Sequence, residues 1–503
     1  MTDEPKAITR SALSFLSGTA LSRISGLARD MSMAFFFGTS ASIAAFLVAL
    51  RFAILLRRLF GEGALLNGFI PYFEAKRSLD PKQGALFFRD VFFSISFLLI
   101  LFIGSAELLL YFWIDSSPIC YLIMLILPGV LFICLFGIFS GLLHCEKYFF
   151  LTGASPIAYN VIWLGAVWIF RDALPEQAAI GLSFSIALAF FCQWFMTVPK
   201  TFFFIGRHLS LKEWFQPHFF SLEIRTMLSS LTLGVIGVAA MQINTAVDTV
   251  FARYAALEGP AYLNYAIHLQ QLPLALFGIA ISSALLPPLS RAFQADDIFL
   301  SKQLLQTSIS NALFFIFPCT AAIFVLGRVS VNLLFGRGDF TALSSFHTTH
   351  CLLGYGLGLA PMVLSLLLAP AFYAKKDFRT PTFISLVSIG LNLLFNFLLI
   401  VVAHFGAASL AYSTSFASMI NAALLYQKLP VKITLTSSTW KSAYVSGFAA
   451  VLTYLVDLSF FSDPFPLYFH EQLLQFFTLF TIFVGFFILA TRNELSACLG
   501  KKL

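Results

Sequence analysis

SRISGLARD (Ser22–Asp30) and LLRRLFGEGALLNGFIP (Leu55–Pro71) set arginines and carboxylates inside apolar runs long enough to cross a bilayer. Arg23, Arg29, Asp30, Arg51, Arg57, Arg58 and Glu62 lie in or beside sequence otherwise built from Phe, Leu, Ile and Ala. An ionisable group at membrane depth is costly unless it meets a partner or a water-filled cavity. Five arginines against two carboxylates leave an excess of positive charge that a dry interior does not tolerate. The pattern predicts a wet, cationic cavity within the membrane, suited to an anionic substrate.

The rest of the chain agrees with a lipid environment. Of 503 residues 59% are apolar, 61 are Phe and only 11% are charged, against roughly a quarter charged in globular domains. The net charge of +7 comes from basic residues in short connections between apolar runs. That placement is a topology signal and not the footprint of a nucleic-acid-binding protein. Seven cysteines occur without a CxxC pair, mostly in apolar runs, so neither a disulfide framework nor a metal site is expected. The opening MTDEPKAITR lacks the basic region and small-residue cleavage site of a secretory signal, so the first apolar segment is expected to be retained.

Apolar stretches of about 20 residues, the length that spans a bilayer as a helix, recur throughout. About fourteen are read, near 11–37, 42–74, 86–113, 118–144, 154–171, 178–204, 227–254, 260–293, 303–326, 343–372, 380–403, 406–427, 441–458 and 468–491. They lack the alternation of a barrel, which predicts an all-α, polytopic membrane protein. One set of loops carries Lys76, Arg77, Lys82, Lys147, Lys200, Lys375, Lys376 and Lys428. The alternate set, including Gly38–Ala44, Ile114–Pro118, Ala403–Ala407 and Asp457–Glu471, is nearly free of Lys and Arg, with Arg171, Arg328 and Arg337 as exceptions. Both termini are therefore expected in the cytoplasm. The longest polar connection, Gly206–Arg225, divides the chain into six helices and then eight. A faint echo between Cys145–Asn160 and Tyr373–Ser385 suggests two related halves.

On a helix Arg23 and Asp30 share a face, as do Arg51, Arg58 and Glu62, while Arg57 lies about 100° round. Asp30 can neutralise one arginine and leave another available. Arginine suits phosphate or pyrophosphate, because its planar fork binds two oxygens and stays charged. The alternative is internal ion pairing or snorkelling to the headgroups. In the second half Asp248, Asn392 and Asn396 offer oxygen ligands fit for Na⁺, and His268, near Gln270 and Gln271, can carry a proton or contact phosphate. Interhelical hydrogen bonding is the competing reading for the asparagines. No GxSxG, HExxH, Walker loop or Asp-rich metal motif is present, so the chain is read as a transporter and not an enzyme.

SRxxGxxRD (Ser22–Asp30), FFFGTS (Phe35–Ser40), LLRRLFGEGALLNGFIP and APAFYAKKDFRTP (Ala369–Pro381), in this order, resemble the MurJ/MviN family over essentially the whole chain. The resemblance implies a member of the multidrug/oligosaccharidyl-lipid/polysaccharide exporter superfamily that flips lipid II across the bacterial inner membrane for cell-wall synthesis, by alternating access through a central cationic cavity. It implies an N-lobe over 1–205, a cytoplasmic linker over 206–226, a C-lobe over 227–430, and two further helices beside a hydrophobic groove over 431–503. Arg23, Arg29 and Arg57 match the family's cavity arginines, and Asp30 and Glu62 its neighbouring acids. Ser22, Arg51, Arg58 and Gln271 are further cavity candidates.

Two positions depart from the family pattern. Ala44 stands where members carry an acid after the first helix, and His268 replaces a cavity arginine, which weakens the permanent charge. A cation site drawn from Asp248, Asn392 and Asn396 has Asn396 where a carboxylate is expected. No cofactor is implied. Na⁺, H⁺ or the membrane potential would drive the cycle, with lipid II and membrane lipids as partners, cell-wall synthases as further candidates, and a monomeric state. A flippase for another isoprenoid-pyrophosphate glycan, or a membrane-embedded glycosyltransferase, is the competing reading.

Overall fold

A computed structural model describes residues 5–60, 64–113, 117–375, 377–429, 431–461 and 468–498. Among the described residues the secondary structure is helical throughout, without a strand. Ten helices among the described residues are long and apolar enough to cross a membrane, and the chain is a multi-pass membrane protein. The described residues of the expected segments near 11–37, 42–74, 227–254 and 406–427 are helical but lie outside that set. In the second of these, Arg51, Arg57 and Arg58 raise the charge of the helix.

The chain forms two compact units, Met1–Ala246 and Val247–Leu503. The first contains α1 (Pro5–Phe37), α2 (Ala41–Phe60), α3 (Ala64–Leu79), α4 (Pro81–Tyr111) and α5 (Pro118–Cys145). There follow α6 (Phe149–Ala154), α7 (Pro156–Ile169), α8 (Pro175–Phe195), α9 (Val198–Ile205), α10 (Leu211–Trp214) and α11 (Leu222–Ala255), whose last turns enter the second unit. Local chemistry sets several starts. Asp80 and Ser117 cap α4 and α5 with side-chain oxygens, and each helix opens on a proline whose missing N–H costs nothing there.

Helix α1 lies against α6 and α7, and α5 against α2 and α8. Gly18 permits the first contact, since a Cβ there would sit 2.9 Å from the Ala154 backbone nitrogen. Phe46, Phe88, Phe139 and Phe190 fill the interior. The polar linker is strapped to this unit. Trp214 packs on Phe88, Phe92 and Phe202, while buried Arg89 donates to Asp90 Oδ1 and to the Glu213 carbonyl at 2.8 and 2.7 Å.

The second unit contains α12 (Gly259–Pro273), α13 (Ala280–Gln294), α14 (Ile298–Phe335), α15 (Ala342–Ala374), α16 (Arg379–Asn396), α17 (Ala408–Gln427), α18 (Ser437–Phe460), α19 (Phe469–Ala490) and α20 (Arg492–Cys498). Helix α15 packs against α14 and α17 around Leu313, Leu359, Val363 and Leu367, and α18 and α19 lie on α14. Wide π turns follow α12, at Leu274–Ile279, and α16, at Phe397–Val402.

Arg328 and Asp457, placed by the loop pattern in connections, lie inside α14 and α18 and form an ion pair. Asp457 also accepts from Gln475 Nε2 of α19 at 2.8 Å. Helix α14 runs past the expected end at residue 326 because Arg328 finds this partner within the bundle.

Candidate functional site

The first polar cluster grows from α1. Ser22, Arg23, Arg29 and Asp30 occupy two turns of it, and Asp30 pairs with its adjacent neighbour Arg29. Face-sharing with Arg23 did not foretell this partner, because a long arginine folds back over one position. Arg29 Nε and Nη2 donate to Asp30 Oδ1 at 2.8 and 2.7 Å. Its Nη1 donates to Asn160 Oδ1 of α7 at 2.8 Å. The guanidinium lies 4.2 Å from the Trp163 ring centroid and 5.8 Å from that of Tyr159, a cation–π geometry. Asn160 is itself fixed, donating through Nδ2 to the Ser22 carbonyl at 2.9 Å and to Ser25 Oγ at 2.8 Å. One asparagine thus binds α1 at three points and sets the direction of Arg29.

Arg57 of α2 joins this group, since Arg29, Arg57 and Asp30 all lie within electrostatic reach of the Tyr159 hydroxyl. Arg58 donates to Gln242 Oε1 of α11 at 3.1 Å. Arg23 and Arg58 are exposed, and Arg51 and Arg57 are half-buried. Glu62 lies outside the described residues. Asp30 offsets the charge of Arg29, and an immobilised guanidinium has the planar donor fork that suits an anion.

The second cluster lies in the other unit. Asp248 is buried, as are Asn392 and Asn396. Asn396 Nδ2 donates to Asp248 Oδ1 at 2.6 Å and to Asn392 Oδ1 at 3.1 Å. Asn392 Nδ2 reaches Ser413 Oγ and Thr414 Oγ1 of α17, each at 3.3 Å. The π turn begins directly after Asn396, an irregularity common where helices build sites. No group of three His, Cys, Asp or Glu suited to a metal ion occurs among the described residues. The one carboxylate among amide and hydroxyl oxygens matches a monovalent cation better than a divalent one. On α12, His268 is half-buried, Gln271 exposed, and Gln270 buried with its Nε2 3.1 Å from Met362 Sδ.

Sequence reasoning missed Asn160, Tyr159 and Trp163 as members of the first cluster. An uncharged polar or aromatic residue in an apolar helix carries no cost large enough to single it out. The proline opening α7 was visible, but not the face that Asn160 turns to α1.

The family model described as "Lipid II flippase MurJ" matches residues 33–483. The chain belongs to the MurJ family. Among MurJ relatives, a probable lipid II flippase MurJ of Chlamydia muridarum is 30% identical over 466 residues, which cover 91% of this chain and 85% of that protein. One of Aquifex aeolicus, of the same description, is 27% identical over 97% of this chain and 96% of its own length. The fold agrees with a solved lipid II flippase MurJ in an inward closed conformation, with a TM-score of 0.76 and 22% identity over 96% of this chain and 99% of that one. An inward-facing multidrug-resistance MATE transporter of the MOP superfamily has a TM-score of 0.65 at 12% identity, covering 83% of this chain and 96% of its own. MurJ is a transporter family, and the chain is read accordingly.

Proposed function

We propose that this protein flips lipid II from the cytoplasmic to the outer leaflet of the bacterial inner membrane, by alternating access and with both termini cytoplasmic. The observation that carries this reading is the Arg29 cluster, a guanidinium immobilised by Asp30 and Asn160 beneath Trp163, in a chain of the MurJ family. Pyrophosphate binding falls to Arg23, Arg29 and Arg57, with Ser22, Arg51 and Arg58 as further contributors; Glu62 is a neighbouring acid, and His268 and Gln271 are the cavity candidates of the second unit. Asp30 and Asn160 hold Arg29 ready, so that little freedom is lost when the anion arrives. The polyprenyl chain stays in lipid or beside α18 and α19, and the lobes, 1–205 and 227–430, alternate around the substrate. Moving the charged headgroup past guanidinium groups spares it the cost of bare hydrocarbon.

Asp248, Asn392 and Asn396 are proposed to bind the coupling cation, Na⁺ or H⁺. Support comes from a single buried carboxylate amid amide oxygens beside a π turn. A cycle driven by membrane potential alone is the other outcome.

The test is depletion of the protein in its own cells, followed by a membrane-impermeant probe of outer-leaflet lipid II. Loss of accessible lipid II, restored by the wild-type chain and not by Arg29→Ala at equal membrane abundance, is expected. Undiminished accessibility would remove the lipid II reading and point to another lipid-linked glycan.

A further inference from the structure

A cavity of about 720 Å³ lies within the second unit. Its wall comes from α14, α15, α17, the segment leading into α18 and Trp440 in the first turn of α18, and it is overwhelmingly apolar. The space exists because Ala360, Pro361, Ala422 and Ala423 are short where neighbouring positions carry Leu, Ile or Phe. A dry void of this size forfeits contacts on every wall, so in a bilayer it is filled by hydrocarbon.

Its position selects the occupant. Ala360 lies fourteen residues before the end of α15 at Ala374, and Met419 eight before the end of α17 at Gln427. At the helical rise these are depths of ~21 and ~12 Å, on the scale of one leaflet of a hydrocarbon core ~30 Å thick. The shallow end carries exposed Trp440 and Tyr426, the latter donating from its hydroxyl to the Ile433 carbonyl at 2.9 Å. Such amphipathic rings suit the headgroup level. Next to them in the chain stand Lys428 and Lys432, both exposed.

We infer that this cavity is a binding site for an anionic phospholipid, one acyl chain lying in the pocket and the phosphate against Lys428 and Lys432. Apolar depth of one leaflet, an aromatic rim and two cations at the rim match that molecule part for part. The site does not depend on the flippase reading; of its lining residues Trp440 belongs to α18 and none belongs to α19.

The experiment uses the full-length protein in nanodiscs containing lipids with brominated acyl chains, either phosphatidylglycerol or phosphatidylcholine. Bromine quenches tryptophan only at short range, and the difference between the wild type and Trp440→Phe isolates Trp440 from the other tryptophans. Brominated phosphatidylglycerol is expected to quench Trp440 at several-fold lower mole fraction than brominated phosphatidylcholine. Lys428→Gln and Lys432→Gln should each reduce that preference about fivefold, and Ala423→Phe, filling the pocket, should weaken quenching by both lipids. Equal quenching by the two lipids, unchanged by the lysine variants, would overturn the inference and leave an ordinary lipid-facing surface. Relief of quenching by a polyprenyl phosphate at lower concentration than by unbrominated phosphatidylglycerol would also overturn it, assigning the pocket to a prenyl chain. Should Ala423→Phe fail to fold, the lysine variants, on exposed positions, decide the matter alone.

Discussion

Asn160 accepts from Arg29 Nη1 at 2.8 Å and, through its amide nitrogen, holds the Ser22 carbonyl at 2.9 Å, so α7 orients the arginine of α1. Asn160→Ala should leave Arg29 charged but misdirected, with a loss of about 1.5–3 kcal/mol for a hydrogen bond to a charged group. Outer-leaflet lipid II is expected to fall at least tenfold with membrane insertion unchanged. Arg29→Lys should fail similarly, since an ammonium cannot bond Asp30 and Asn160 with the same planar fork. Full activity of both variants would show that the orientation of Arg29 is irrelevant.

The Arg328–Asp457 pair ties α14 to α18, and Gln475 brings in α19. Asp457→Ala strands a guanidinium that is a quarter exposed, so the cost should be at the low end for a broken buried pair, about 3 kcal/mol. A lower Tm in detergent is expected, with partial recovery when Arg328→Leu is added. Equal Tm values for Asp457→Ala and the wild type would show the pair to be dispensable.

If Asp248 and its asparagines take up Na⁺, added NaCl should raise the Tm of the wild type relative to KCl, by about 1–3 kcal/mol of binding linkage at saturating ion. Asp248→Asn should abolish that difference. Asn396→Asp places a second carboxylate beside Asp248 and should steepen the Na⁺ dependence.

Helix α15 meets α17 through Gly358, where a Cβ would collide with Ser415 Oγ. Gly358→Ala should part the two helices and cost about 1–3 kcal/mol, the usual range for overpacking. Denaturation in detergent reads the effect, and a Gly358→Ala protein as stable as the wild type would mean that the helices separate freely.

The linker should resist mild acid. Lys82, together with the Ser210 amide and hydroxyl, holds the exposed Glu213 carboxyl down at about 2. A depressed folded-state value stabilises above the unfolded carboxyl range and is lost only as pH falls through about 2. Proteolysis within 206–221 should therefore proceed alike at about pH 7.5 and about pH 5. Lys82→Gln should accelerate it, and a sharp increase at the lower pH in the wild type would contradict the clamp.

Charge in an apolar run is rare, so Arg23, Arg29, Asp30 and Arg57 stand out in the sequence as candidates by the cost of putting them there. Asn160 carries no such cost and became visible only by its contacts. Arg328 and Asp457 misled in the opposite direction. Near the ends of apolar segments they read as loop charges, until the partner 129 residues away accounted for their place inside helices.

The sequence by itself determined the solvent of this protein and the course of its backbone. Apolar length sets helices against lipid, and Asp80–Pro81 and Ser117–Pro118 start two of them where they do. Tertiary structure decided the partners. Arg29 and Asn160 lie 131 positions apart, and Asp248 and Asn396 lie 148 apart. Such bonds depend on the rotation of each helix about its axis to within a few tens of degrees. That rotation is set by how neighbouring helices interlock, at contacts such as Gly18 on Ala154, and not by the residues of either helix alone.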